Sequence, residues 1–262
     1  MSPEDIAKYV VGVIPAAGVA NRLGPLPCSK ELIPIGLQRD GGTGELSTRA
    51  VAQYLLDKFR LAGIRKTLIL IRSGKWDIPA YFADGSRYGM HVSYLIPRYL
   101  YGPPFSVDQA YPYLENKIVA LGFPDILFSE DRAFGLLIDK LTQSDADVVL
   151  GLFPADRPEK VDMVSIDDAH TVRRIEIKPR SSELEFTWGI AVWRAEFTEY
   201  MHTHLAGLTG AAKVPHNLHI GDVLTSALAD GMRIKGYPVS RQPYIDIGTP
   251  DDLQRAWADN LR

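Results

Sequence analysis

One stretch limits the fold of this chain more than any other: Val10 to Gly36, VVGVIPAAGVANRLGPLPCSKELIPIG. A β-branched run climbs to Pro15 and breaks into Ala16-Ala17-Gly18; Arg22 follows, and then Lys30 inside Ser-Lys-Glu-Leu-Ile-Pro. A short continuous apolar run bounded by turn residues reads as a strand buried on both faces, as in parallel sheets. Small side chains in the loop beyond it let backbone N–H groups approach an oxyanion, and nearby cations neutralise the charge the amides leave. The stretch therefore predicts an α/β protein that holds a phosphate at the carboxyl end of its first strand.

The next segments extend that reading. Gln38 to Glu45 is a glycine-rich turn, and Ser47 or Thr48 is expected to cap a helix with Val51, Leu55, Phe59 and Ala62 on one face. Lys66 to Ile71 is a second buried strand, which completes a βαβ unit and implies a parallel pair. A short helix over Asp77 to Ala83 and a strand over Met90 to Ile96 follow. Tyr99 to Phe105 reads as a loop stiffened by Pro103 and Pro104, and Ser106 to Leu114 as a helix interrupted by Pro112. Lys117 to Leu121 is another buried strand, with Asp125 just past its end, where open α/β sheets bind ligands.

After a helix over Glu130 to Leu141, Ala146 to Leu152 is expected to be a fifth strand of the parallel type. The texture then changes: Val161 to Ile166, Thr171 to Lys178 and Phe186 to Trp193 are joined by polar turns and read as antiparallel strands beside the parallel sheet. Two helices, Arg194 to Ala206 and Ile220 to Asp230, precede a strand over Met232 to Val239. Asp246 stands before Gly248-Thr249-Pro250 at a last strand-to-helix junction. No linker divides the 262 residues, so a single domain is expected.

A net charge of −3 argues against bulk attraction to nucleic acid or an anionic membrane. The single cysteine, Cys28, cannot form an internal disulfide, and no run approaches the roughly 20 apolar residues of a membrane span, so a cytoplasmic location is expected. Cys28 has no activating neighbour in sequence, and His202 and His204, two apart on a helix, point to different faces. A Walker loop fails because Pro25 stands where its Lys belongs, and the dinucleotide fingerprint fails because Ala20 takes the second glycine position.

What remains is A-A-G-x-A-x-R-L followed by S-K-E-L-x-P, and it resembles the signature of the sugar-1-phosphate nucleotidylyltransferases. Further segments carry the resemblance: Leu61-Ala62-Gly63-Ile64; Trp76-Asp77-Ile78-Pro79 with Asp84-Gly85-Ser86; Leu121-Gly122 with Asp125; Lys178-Pro179; Trp188-Gly189-Ile190; Asp222; and Tyr244-Ile245-Asp246-Ile247-Gly248-Thr249-Pro250. The thymidylyltransferase branch is the most similar. The resemblance implies a Rossmann-like nucleotide-diphospho-sugar transferase fold with a mainly parallel central sheet and a smaller antiparallel sugar-binding part. About 10–152 would form the nucleotide-binding half and about 153–250 the sugar-phosphate half.

The implied reaction joins a nucleoside triphosphate, dTTP or UTP, to a sugar 1-phosphate and releases pyrophosphate. A sugar phosphate is already anionic near neutral pH, its second pKa being about 6, so positioning and positive charge matter more than a general base. The resemblance assigns catalysis to Arg22, Lys30, Asp125 and Asp246, with Asp125 and Asp246 holding Mg²⁺, a hard cation suited to oxygen ligands. It assigns the nucleotide to Ala16, Ala17, Gly18, Val19, Ala20, Asn21, Arg22, Pro97 and Gly102, and the sugar phosphate to Lys178, Glu176, Trp188 and Gly189. Against the family pattern, Ala20-Asn21 replaces Gly-Thr or Gly-Ser, Pro97 replaces a base-reading Gln, and Ile177 replaces an acid that Glu176 offers only on the other strand face. Two alternatives stand beside this reading: a cytidylyl- or guanylyltransferase for another sugar, cyclitol or polyol phosphate, and a non-catalytic sugar-nucleotide-binding regulatory domain. Assembly into a homo-oligomer is left open by the sequence.

Overall fold

The computed structural model describes residues 2–39, 44–209 and 217–260. A short helix, α1 (Pro3–Tyr9), leads into β1 (Val10–Pro15), which pairs in parallel with β4 (Lys66–Leu70) on one side and β6 (Ile118–Gly122) on the other. Between β1 and β4 lie a hairpin of β2 (Pro34–Arg39) and β3 (Leu46–Ala50), and helix α2 (Val51–Leu61). The helix expected to be capped by Ser47 or Thr48 therefore starts later, with Ala50 at its cap and no side-chain cap. Ladder pairing with β2 takes Ser47 and Thr48 into a strand, and it outweighs their local capping tendency. Residues 40–43 of the expected glycine-rich turn lie outside the described residues.

Helix α3 (Asp77–Phe82) precedes the edge strand β5 (His91–Leu95), which pairs in parallel with β4. Pro103 and Pro104, read above as part of a loop, instead open α4 (Pro103–Asp108), because proline fits the first helical turn, where no N–H is needed. Helix α5 (Tyr111–Leu114) then leads to β6, the two-residue β7 (Ile126–Leu127), α6 (Ala133–Thr142) and β8 (Val148–Pro154).

The second half departs from the expected arrangement. Strands β9 (Met163–Ile166), β10 (Val172–Glu176) and β11 (Phe186–Trp193) do pair antiparallel. Yet β11 is not beside the main sheet; it is built into it, antiparallel to β6 along one edge and to β8 along the other. Only then does β8 find a parallel partner, β12 (Ile234–Pro238), after helices α7 (Ala195–Thr209) and α8 (Ile220–Ala229). Finally β13 (Ile245–Asp246) pairs antiparallel with β7, and α9 (Pro250–Asn260) follows.

The two-residue period of β1 sorts its side chains between the two faces of the sheet. Val11 and Val13 join a core with Phe105, Trp193 and Phe197, whereas Val10 and Ile14 join one with Leu55, Phe59 and Phe134. Each large apolar side chain fully buried there contributes about 1.5–3 kcal/mol. Both faces of β1 are thus covered, and the loops after β1 and β6 emerge side by side at the carboxyl edge.

Candidate active site

The small-residue loop after β1 is fastened before it reaches any ligand. The Ala16 N–H donates to the Leu70 carbonyl at 2.8 Å, extending the ladder by one step. Its carbonyl accepts from Lys75 Nζ at 2.9 Å, and the same ammonium reaches both carboxylate oxygens of Glu31 at 2.7 and 2.8 Å. Glu31 is only 1 % exposed; burial raises its pKa against the pull of Lys75. Ser29 is braced in turn, its N–H and Oγ donating to Asp77 at 2.6 and 2.7 Å. Lys30 therefore stands between two anchored neighbours.

Ala17, Gly18 and Val19 line a cavity of about 290 Å³ that also meets Lys30 and Arg72. A second, of about 300 Å³, is lined by Asp246, Lys178, Trp188, His219 and Tyr244 among others. Gly102, Pro103, Phe123 and Asp125 belong to both, so these are two chambers of one cleft with Asp125 at the junction. Topology places Asp246 beside it. The β7–β13 ladder pairs Asp246 with Ile126, and the Ile247 N–H donates to the Asp125 carbonyl at 2.8 Å.

Lys30 Nζ forms an ion pair with Asp125. Burial disfavours the ammonium, but Asp125, Glu31 and Asp246 outweigh that penalty and hold its pKa above the ordinary lysine value. Asp246 moves the other way from a usual acid: burial and then the neighbouring Asp125 charge push its pKa up to about 6, although Lys30 and Arg22 pull it down. Two carboxylates forced together with incomplete cationic compensation suit a divalent cation. The described residues hold no cluster of three or more His, Cys, Asp or Glu able to bind a metal, so a cation here would take its other oxygens from substrate and water, as Mg²⁺ commonly does.

The other site residues read from sequence are placed as follows. Arg22 reaches the turn after β13: a Cβ on Gly248 would stand 2.8 Å from its guanidinium and 3.4 Å from Asp246 Oδ2. It lines a small recess with Arg157, Lys160 and Asp246 rather than the loop chamber. Ala16 is buried, Ala20 takes the left-handed conformation with φ 56°, and neither they nor Asn21 and Pro97 line either chamber. Lys178, also left-handed with φ 41°, places Nζ 2.8 Å from His219 Nε2. Glu176 accepts from Ser182 Oγ at 2.7 Å and pairs with Arg174 at 2.5 Å, outside the chamber. Gly189 lies at a register shift of β11 beneath Tyr244, whose ring a Cβ there would meet at 2.9 Å. Gly189 itself does not line the chamber; Tyr244 above it does.

Gly102 joins the two chambers with φ 140°, and a Cβ there would stand 2.2 Å from the Leu218 carbonyl oxygen. Gly102→Ala is expected to cost about 1–3 kcal/mol of stability, read as a lowered urea midpoint. An unchanged midpoint would show that the Gly102–Leu218 approach is not fixed. Four residues of the site escape sequence reasoning: Lys75, Asp162, His219 and Tyr244. Only Tyr244 belongs to a motif named above; the others come from loops and strand ends whose proximity is set by long-range pairing. Of the tempting bystanders, Cys28 has a pKa raised by burial, Asp77 and Glu31, and His202 binds Asp108 at 2.8 Å.

A nucleotidyl transferase family model matches residues 11–262, nearly the whole chain. The chain belongs to the nucleotidyl transferase family. Among curated proteins the chain is similar to the low-salt glycan biosynthesis nucleotidyltransferase of Haloferax volcanii, with 22 % identity over 94 % of this chain and 64 % of that protein. It is also similar to the glucose-1-phosphate adenylyltransferase of Deinococcus deserti, with 23 % identity over 95 % of this chain and 66 % of that protein. The chain thus spans just under two thirds of the length of these two relatives. A crystal structure from Bacillus anthracis, provisionally assigned as a glucose-1-phosphate thymidylyltransferase in complex with sucrose, superposes with a TM-score of 0.81. The match has 20 % identity and covers 96 % of this chain and 95 % of that one, which establishes the shared fold. Among the described residues no helix is long and apolar enough to cross a membrane.

Proposed function

We propose that this nucleotidyl transferase condenses a nucleoside triphosphate with a sugar 1-phosphate, giving a nucleoside-diphosphate sugar and pyrophosphate. The observation that carries the reading is the two-chambered cleft with Asp125, Lys30 and Asp246 at its junction. The loop chamber, in the half formed by about 10–152, takes the triphosphate against Ala17, Gly18 and Val19. The second chamber, in the half formed by about 153–250, takes the sugar phosphate, with Lys178 as its cationic partner. A phosphate oxygen of the sugar phosphate attacks the α-phosphorus, the bond to the β-phosphate oxygen breaks, and pyrophosphate departs. No covalent enzyme intermediate or general base is required, because the attacking phosphate is already an anion.

Lys30 supplies fixed positive charge where the two substrates meet, and its raised pKa keeps it charged at neutral pH. Arg22, at the turn carrying Asp246, offsets the charge of that acid and of the pyrophosphate end. Asp125 and Asp246 would hold Mg²⁺, which when bound neutralises and orients the α-phosphate. The base expected is thymine or uracil, by likeness to the thymidylyltransferase branch. Pro97, which replaces the expected base-reading Gln and lines neither chamber, favours a second reading in which CTP or GTP is used.

Pyrophosphate release with Mg²⁺, measured across the nucleoside triphosphates and a panel of sugar 1-phosphates, tests the proposal. Turnover with dTTP or UTP is the expected result; turnover with only CTP or GTP favours the second reading. Tight product binding without turnover of any pair would replace both by a sugar-nucleotide-binding regulatory domain.

A further inference from the structure

The sugar-side chamber contains a third carboxylate to which nothing above gives a task. Asp162, just before β9, lines the chamber with Lys178, Trp188 and His219 and is 9 % exposed. Its Oδ1 and the indole Nε1 of Trp188 are buried with no partner at full hydrogen-bond geometry, the indole standing near enough to the carboxylate to favour its ionised form. The pairing of Thr187 with Met163 and the Thr187 Oγ1 bond to the Asp162 carbonyl, 2.9 Å, keep these two segments side by side. The other carboxylate oxygen presses on α8, where a Cβ on Gly221 would stand 2.3 Å from Oδ2 and 2.7 Å from Ile177 Cδ1.

On balance the environment disfavours charge on this acid, and it leaves its hydrogen bonds incomplete. Burial raises its pKa, while Lys178, His219 and the nearby Trp188 indole draw it back towards the ionised form. The Lys178 ammonium nevertheless bonds His219 Nε2, leaving the acid without a hydrogen-bonded cation. A buried carboxylate oxygen without a donor is costly, and natural proteins leave few such atoms unless a ligand or water completes them. Beside Lys178, Ile177 is apolar, and Glu176 lies outside the chamber, engaged by Ser182 and Arg174. Asp125 and Asp246 belong to the junction. Asp162 is thus a carboxylate of the sugar-side chamber left over once Asp125 and Asp246 are assigned to the junction.

We propose that Asp162 is a specificity-determining residue that accepts a hydrogen bond from a ring hydroxyl of the sugar phosphate, selecting a sugar that is hydroxylated there over its deoxy analogue. The assignment rests on the reading of this chamber as the sugar-phosphate site. A hydrogen bond to a carboxylate acceptor separates such analogues by about 10- to 100-fold.

The test compares wild-type protein, Asp162→Ala and Asp162→Asn, using glucose 1-phosphate and its monodeoxy analogues. In the variants KM for the sugar phosphate is expected to rise about 10- to 100-fold, with KM for the nucleotide unchanged. One monodeoxy analogue should be discriminated strongly by wild type and weakly by Asp162→Ala, a coupling that a merely structural role does not produce. Equal discrimination by both proteins would overturn the assignment. The isosteric Asp162→Asn serves if the alanine variant does not fold. If wild type turns over no pair, the activity reading fails separately. The same comparison is then made by calorimetric titration of the sugar phosphates, where equal affinities for wild type and Asp162→Asn overturn the role of Asp162.

Discussion

Lys30→Ala is expected to lower kcat for nucleotidyl transfer about 100- to 1000-fold with little change in the KM of either substrate, the signature of a charge that acts chiefly in the transition state. Lys30 ion-pairs with Asp125 where the two chambers meet, so its charge stands where the phosphates of the proposed substrates would converge. Removing it also leaves Asp125 and Asp246 facing each other with less compensation, since Lys30 is the first of the cations that lower the Asp246 pKa. Pyrophosphate release under saturating substrates measures the effect. Lys30→Arg should recover part of it, because charge is kept while the position of the donor changes. A loss below about 10-fold would move the reacting centre away from the junction and with it the assignment of the loop.

The parts of this site that are legible in sequence are those written in local chemistry. The apolar run Val10 to Ile14 and the small residues after it identify a strand and a loop because burial on both faces and close approach of backbone each demand particular residue types. Asp125 is recognisable as an acid just past a strand and Asp246 as one at a strand-to-helix junction, but their proximity is created by a two-residue ladder between β7 and β13 that no local pattern announces. The insertion of β11 between β6 and β8 is likewise a pairing decision made over long sequence distances. Local tendencies mislead where such pairing competes with them: Ser47 and Thr48 are good caps yet lie in β3, and Pro103 stiffens no loop because it starts a helix. Lys75 shows the same limit from the other side. Nothing around it in sequence suggests a role, yet it ties the Ala16 carbonyl to Glu31 and so fixes the residue beside Lys30.

Asp246→Asn is expected to lower turnover by about 100-fold or more and, at neutral pH, to make the protein more stable. The two effects have one origin. Burial and the Asp125 charge raise the Asp246 pKa from 3.8 to about 6, so between those values the folded protein binds more protons than the unfolded chain. Stability contributed by this group is therefore present at low pH and lost as pH rises towards 6, and at pH 7 the whole cost of ionising it is felt. Asparagine removes that cost, on the order of 1–3 kcal/mol, so Tm should rise at pH 7 and change little at pH 4. It also removes the second of the two carboxylates proposed to hold Mg²⁺, which would account for the lost turnover. Mg²⁺ should raise the Tm of wild type more at pH 7 than at pH 5, because a cation binds the ionised pair, and this dependence should vanish in the variant. A Tm that falls at pH 7 on substitution would show that Asp246 is stabilised as an anion in the metal-free protein. The repulsion between Asp125 and Asp246 that makes the junction fit a cation would then be absent.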